Sequence, residues 1–156
     1  MTEVKIRDLK EEDLKDATNL VVRLKKFNSE HDPLFIVTSD LEERVLEYLS
    51  SAIRLDTRDV LVAEAGGKIV GMIMGEIVER HFYEPLKELR VTEIYVLPEY
   101  RKTGLGKKLV NSLIEKERSK GCGMITVEFP TENLLAHKFY TSQGMRSIIS
   151  IYGKKI

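Results

Sequence analysis

The stretch richest in chemical potential runs Val96-Leu97-Pro98-Glu99-Tyr100-Arg101-Lys102-Thr103-Gly104-Leu105-Gly106-Lys107-Lys108-Leu109. It reads as a strand ending, a loop with two glycines, and a helix beginning. The first turn of a helix carries amide N–H groups without intrahelical acceptors, together with the positive end of the helix dipole. Glycine lets backbone come close to a bulky anion with no Cβ in the way. Arg101, Lys102, Lys107 and Lys108 add positive field at the same place. These features describe a cradle for a pyrophosphate; the plainer alternative is a capped helix that holds nothing. Two common nucleotide loops fit poorly. A Walker loop needs a lysine followed by Ser or Thr for magnesium, and here Gly106 is followed by two lysines. A dinucleotide fingerprint needs a third glycine where Leu109 stands, after an early strand rather than beyond residue 100.

Other reactive residue types carry less. Cys122 lies between two glycines with no base placed beside it, so it reads as a packed side chain rather than a nucleophile. A single cysteine permits no intrachain disulfide and no thiolate cluster. His31, His81 and His137 are widely spaced, no zinc-like ligand spacing occurs, and no metal is expected. The 25 Lys+Arg balance 25 Asp+Glu, which disfavours a general polyanion-binding surface but not a local cationic site. No apolar run is long enough to span a bilayer. The charged start MTEVKIRDLKEED lacks the apolar stretch of a signal peptide, so a cytoplasmic location is expected.

The elements that must position the loop follow from periodicity. Val4 and Ile6 alternate in a first strand. From Glu11 the period becomes helical, with Leu14, Ala17, Leu20, Val21, Leu24 and Phe27 on one face, and turn formers stop it near Asn28. A second helix opens at Ser39 or Asp40, with Glu42 and Glu43 in its first turn. Val60–Ala65 and Lys68–Val78 read as strands joined by Gly66-Gly67, a two-residue hairpin turn. Gly71 and Gly75 share one face of the second strand, which implies close approach by another element. His81–Glu88 reads as a polar connection and Val91–Leu97 as a strand. A helix buries Leu105, Leu109, Val110, Leu113 and Ile114 and stops before Gly121. Met124–Phe129 is a strand, Glu132–Ser142 a short helix, and Met145–Tyr152 a last strand. The order is a mixed α+β arrangement, expected to be one domain over residues 1–156.

Two motifs in this order resemble the GCN5-related N-acetyltransferase superfamily. That family has a strand ending in V-x-P followed by R/Q-x-x-G-x-G/A, matched by Arg101-Lys102-Thr103-Gly104-Leu105-Gly106. Downstream it carries N-x-x-A-x-x-F-Y-x-x-x-G-F. Here Asn133, Ala136, Phe139, Tyr140 and Gly144 stand at the defining positions, and Met145 replaces the final Phe at similar volume. The resemblance covers nearly the whole chain and is weakest between residues 28 and 60.

The resemblance implies an acyl-CoA N-acyltransferase fold: a mixed, mostly antiparallel central sheet flanked by about four helices. It implies acetyl-CoA as donor, without a metal, and transfer of the acetyl group to a primary amine. The backbone of Arg101, Lys102, Thr103, Gly104, Leu105 and Gly106 would meet the pyrophosphate, with the Arg101, Lys102 and Lys107 side chains nearby. Backbone groups of Ile94 and Val96 would pair with the pantetheine arm where two strands splay. Asn133 would hydrogen-bond that arm, cap its own helix, or both. Tyr140 stands where the family often places a general acid toward sulfur. Glu93 is the base candidate and Glu128 its competitor, with a water chain as the third route.

The acceptor is expected at the loops 28–39 and 79–90. Acidic Glu30, Asp32, Glu79, Glu84 and Glu88 there, with aromatic Phe35, Phe82 and Tyr83, suit a cationic amine on a small molecule or a peptide. The chain after Gly144 is short for the family, leaving a sheet edge that a second copy could cover, so a homodimer is expected. Two other readings stand beside the enzyme. One is an acyl-CoA-binding sensor with weak or no turnover. The other is nucleic-acid binding through the 101–108 cations, which lacks an accompanying recognition helix or aromatic-basic stripe.

Overall fold

In a computed structural model, residues 2–55 and 58–156 are described. Strand β1 (Val4–Asp8) is followed by helices α1 (Leu14–Ser29) and α2 (Leu41–Arg54). Strands β2 (Arg58–Ala65), β3 (Lys68–Glu79) and β4 (Lys87–Val96) come next. Helix α3 (Leu105–Arg118), strand β5 (Met124–Val127) and helix α4 (Leu134–Thr141) complete the order. The strands form one sheet in sequence order, β1 to β5. Every pair is antiparallel except β4–β5. Gly66 and Gly67 take φ of +57° and +80°, the left-handed pair that a tight hairpin turn requires.

Helices cover both faces. On one, Ala17, Leu20 and Val21 of α1 and Val45 and Leu49 of α2 meet Val62, Met72 and Met74. On the other, Leu105, Leu109 and Leu113 of α3 meet Ala63, Ile73 and Val91. The two strand glycines explain how closely α3 lies. A Cβ on Gly71 would sit 3.3 Å from Leu109 Cδ1, and one on Gly75 would sit 2.8 Å from Leu113 Cδ2. Leu109 and Leu113 are one helical turn apart. The glycines are therefore the sheet's imprint of one ridge of α3.

Several expected boundaries move, and one expected strand is missing. Strand β4 starts at Lys87, not Val91, where Glu88 finds a partner across the sheet, accepting from Thr126 Oγ1 of β5, and also lies 3.2 Å from Arg90 Nη2 on its own strand. Glu88 is buried in the sheet, and Glu79 closes β3, so neither belongs to an acceptor-side loop. Strand β5 ends at Val127, before Phe129. The last strand, expected over 145–152, does not form: from Met145 the chain takes up neither helix nor strand and has no ladder partner. Left-handed Gly144 (φ +81°) turns it out of α4. It then runs toward the turn at Leu34, whose Cδ1 would lie 3.7 Å from a Cβ on Gly153. Among the described residues no helix is long and apolar enough to cross a membrane.

Candidate acyl-transfer site

The site is built around a defect in β4. Glu93 pairs with Met74 and Val91 with Gly75, so Thr92 has no partner of its own. This bulge flips the parity of the strand. Leu89 and Val91 point into the α3-side core, whereas beyond the bulge Tyr95 packs against the α1/α2 side and Ile94 and Val96 against the α3 side. Pairing with β5 stops at the same point, at Val91 opposite Val127. Strand β4 then continues to Val96 paired with β3 alone, leaving on its other side a free backbone edge along residues 92–96. A slot opens where two parallel strands part company.

The chain leaves that edge directly into the glycine loop. Pro98–Tyr100 forms one 3-10 turn, and Thr103 Oγ1 donates to Tyr100 O at 2.6 Å. Lys102 (φ +64°) and Gly104 (φ +84°) both take left-handed backbone before α3 begins. Lys108 N donates to Gly104 O at 3.1 Å, so the amides of Leu105, Gly106 and Lys107 ahead of it are the unpaired donors of a helix start. No heavy atom lies within 4 Å of a Cβ built on Gly104, so that side of the loop is open. Gly106 has a different duty: its Cβ would sit 3.2 Å from the Phe139 ring. The second glycine thus lets α4 dock on the start of α3 and brings the two sequence motifs into contact. Leu105 is buried in the α3-side core, which leaves only its backbone for a ligand. Lys102, Thr103 and Lys107 are exposed. An open row of helix-start amides flanked by cations fits a diphosphate, and the free β4 edge fits an amide-bearing arm.

Arg101 does not point away from the strand. Its Nε donates to Val96 O at 2.9 Å, and its guanidinium lies 5.2 Å from the centroid of the Tyr95 ring. It covers one carbonyl of the edge. Asn133 caps α4, accepting from Ala136 N at 3.1 Å, which leaves its NH2 group as the part able to meet a ligand. Tyr140 is buried, stacked on Phe129 with centroids 5.6 Å apart and edge-on to Phe139. Burial alone pushes its phenol above the ordinary range. The hydroxyl stays protonated at neutral pH, as a proton donor must.

Glu93 is 6% exposed. Its Oε1 is 2.7 Å from Lys25 Nζ on α1, and its Oε2 is buried without a hydrogen-bond partner among the described residues. Burial raises its carboxyl above the usual range, and the Lys25 charge and hydrogen bond oppose that rise. Glu128 lies exposed beyond the end of β5. Lys25, the partner of the Glu93 carboxylate, is a residue that the sequence reading misses. Its signal is nonetheless present: it continues the buried Ala17–Val21 row by one further turn, a charge in phase with an apolar stripe. Cys122 fits its packing role, its thiol pushed up first by burial and then by Glu117. Among the described residues no group of three His, Cys, Asp or Glu side chains is placed to hold a metal ion.

Comparison with known proteins agrees with this geometry. Residues 21–145 match the acetyltransferase (GNAT) family. The chain belongs to that family. An uncharacterised N-acetyltransferase of Archaeoglobus fulgidus is 29% identical over 102 residues, 65% of this chain and 69% of that protein. Another, from Methanocaldococcus jannaschii, is 28% identical over 97 residues, 62% of this chain but only 43% of its relative. Among solved structures, an aminoglycoside N-acetyltransferase, AAC(6')-Iy, in complex with CoA superposes with a TM-score of 0.79 at 19% identity, covering 100% of this chain and 96% of the other. An aminoglycoside 6'-N-acetyltransferase of Acinetobacter haemolyticus gives 0.77 at 20% identity, covering 97% and 99%. These likenesses establish the fold: a five-stranded, mostly antiparallel sheet with four α-helices, that of the acyl-CoA N-acyltransferases.

Proposed function

We propose that the chain is a single-domain N-acetyltransferase that moves an acetyl group from acetyl-CoA to the primary amine of a cationic acceptor. The observation that carries this reading is the free β4 edge beyond the Thr92 bulge, leading without interruption into the open amides of the 104–107 helix start. Acetyl-CoA, when bound, supplies an activated thioester to the acceptor. The Leu105, Gly106 and Lys107 amides with the nearby lysines hold the diphosphate. Ile94 and Val96 present backbone to the pantetheine arm, for which Arg101 must leave the Val96 carbonyl. Asn133 offers its NH2 group to the same arm. Glu93 takes a proton from the acceptor ammonium or amine. Tyr140, still protonated, gives its proton to the departing sulfur.

The amine class follows from charge and from the neighbours. Glu30, Asp32 and Glu84 sit in or beside the two loops with exposed Phe35, Phe82 and Tyr83, a combination that attracts cations. One neighbour was solved with a bisubstrate analogue of CoA and acetylneamine. A protein of the cytoplasm with small-molecule amine substrates accords with this chemistry. The assay is thiol release from acetyl-CoA with neamine, spermidine and a lysine-containing peptide as acceptors. Release with at least one supports the reading. Tight acetyl-CoA binding without release from any would favour the sensor alternative.

A homodimer is part of the proposal. Ile149, Ile151 and Tyr152 on the C-terminal tail are 75%, 76% and 95% exposed, and β5 pairs on one edge only among the described residues. An apolar segment and an unpaired edge on each copy complement one another across a two-fold axis. Light scattering on the full chain should give the dimer mass, and removal of residues 146–156 should give a monomer.

A further inference from the structure

Why does a half-buried lysine of α1 reach the buried carboxylate beside the slot? We infer that Lys25 is the positioning residue for Glu93: it holds Oε1 and leaves Oε2 unpartnered for the proton of the acceptor nitrogen. The inference rests on the acetyl-transfer reading and adds a residue of α1 to it.

The geometry is specific. The bulge at Thr92 moves Glu93 off the α3 side, where Val91 packs, and onto the α1/α2 side. There a lone carboxylate would be held in apolar surroundings, next to Met74 in the strand ladder and with Tyr95 on the same face. A buried carboxylate without a cation takes up a proton and ceases to be a base. The Lys25 ammonium, 2.7 Å away, opposes that. It engages one oxygen only. The other, Oε2, is buried and lacks any partner among the described residues, an arrangement that a merely structural ion pair would avoid by satisfying both oxygens.

The remaining charged and titratable groups around Glu93 do not replace Lys25. From β2, Arg58 contributes charge at a distance, but its Nε is committed to Glu76 of β3 at 3.4 Å and its guanidinium lies 4.8 Å from the Tyr48 ring centroid. Tyr48 of α2 feels Glu93 as a neighbouring charge and is itself pushed up, chiefly by burial. Neither makes a hydrogen bond to the carboxylate. Among the described residues, Lys25 alone fixes its orientation.

The test uses the full chain labelled with carbon-13 at the glutamate carboxyl, with the Glu93 signal assigned by its loss in Glu93→Gln. Its midpoint is followed by pH titration in the wild type, Lys25→Met and Lys25→Arg, with amide spectra checking that each remains folded. Loss of a cation at this range should raise the Glu93 midpoint by about one to three pH units in Lys25→Met, and Lys25→Arg should restore most of the shift. The acid limb of thiol release with neamine or spermidine should move up by the same amount. An unchanged Glu93 midpoint in folded Lys25→Met overturns the inference, as does a shifted midpoint with an unmoved acid limb. A wild type that releases no thiol with any acceptor overturns instead the transfer reading, while the titration still measures the Lys25–Glu93 coupling. Should Lys25→Met fail to fold, Lys25→Gln, which keeps a donor without charge, carries the same titration.

Discussion

Gly75→Ala tests how closely α3 is held against the sheet, on which the placement of the loop depends. The added Cβ would meet Leu113 Cδ2 at 2.8 Å, Leu89 Cδ1 at 3.0 Å and the Arg90 carbonyl oxygen at 3.3 Å. Leu113 and Leu89 are buried, 0% and 3% exposed, so neither can swing into solvent. Overpacking of this kind destabilises by about 1–3 kcal/mol. Against it stands the loss of unfolded-chain freedom on replacing glycine, worth about 0.4–1 kcal/mol in the other direction. The net expectation is a loss of up to about 2.6 kcal/mol, or a Tm fall of up to roughly 10 °C in a chain of this size. Gly71→Ala should lose less, because its tightest contact is 3.3 Å. A double-mutant cycle makes the test sharp. Leu113→Ala alone should destabilise by about 2–5 kcal/mol, but it also removes the atom that collides with the methyl group added at position 75. The pair should therefore be less destabilised than the sum, by about 1 kcal/mol. Thermal or urea unfolding measures all four proteins. An additive cycle would refute the imprint argument.

Two further perturbations follow from buried groups. Glu117, 1% exposed on α3, is pushed up to about 7 by burial and by its hydrogen bond with Asp59. An acid whose folded value exceeds its unfolded value contributes most stability below the unfolded value, near 4.5, and loses it as pH rises toward about 7. Glu117→Gln should flatten that decline in Tm between these limits, and an unaltered slope would place the titration elsewhere. Tyr140→Phe keeps the stacked ring but removes the proton donor. It should lower kcat for thiol release by about 100-fold or more while leaving acetyl-CoA affinity nearly unchanged; full activity would remove Tyr140 from the chemistry.

How much of this is legible in the sequence differs between elements for physical reasons. The loop and the helix after it are legible because glycine, proline and helical spacing are local signals: Gly104 does take positive φ, and α3 starts beside it. The strand glycines announce a close approach, but only the fold can name Leu109 and Leu113 as the approaching side chains. Glu93 can be placed on the slot-lining strand, yet its face cannot be read by alternation. The unpaired Thr92 reverses the parity, and a bulge has no reliable signature in one sequence. Lys25 is hidden for a related reason. Its row along α1 is visible, but the partner that makes a half-buried lysine tolerable lies 68 residues away. The tail misleads because Ile and Tyr, residues of high strand propensity, favour a strand only where an edge is offered, and within one copy none is taken up.

The central claim is that the open amides after Gly104 and the free β4 edge together hold acetyl-CoA. Isothermal titration of acetyl-CoA into the folded wild-type chain tests it most directly. The account predicts one equivalent bound with a Kd between about 1 μM and 1 mM, weakened by salt as the flanking lysines are screened, and weakened further in Gly106→Val, where the side chain would drive Phe139 off the helix start. A folded protein that takes up no acetyl-CoA across that range would contradict it.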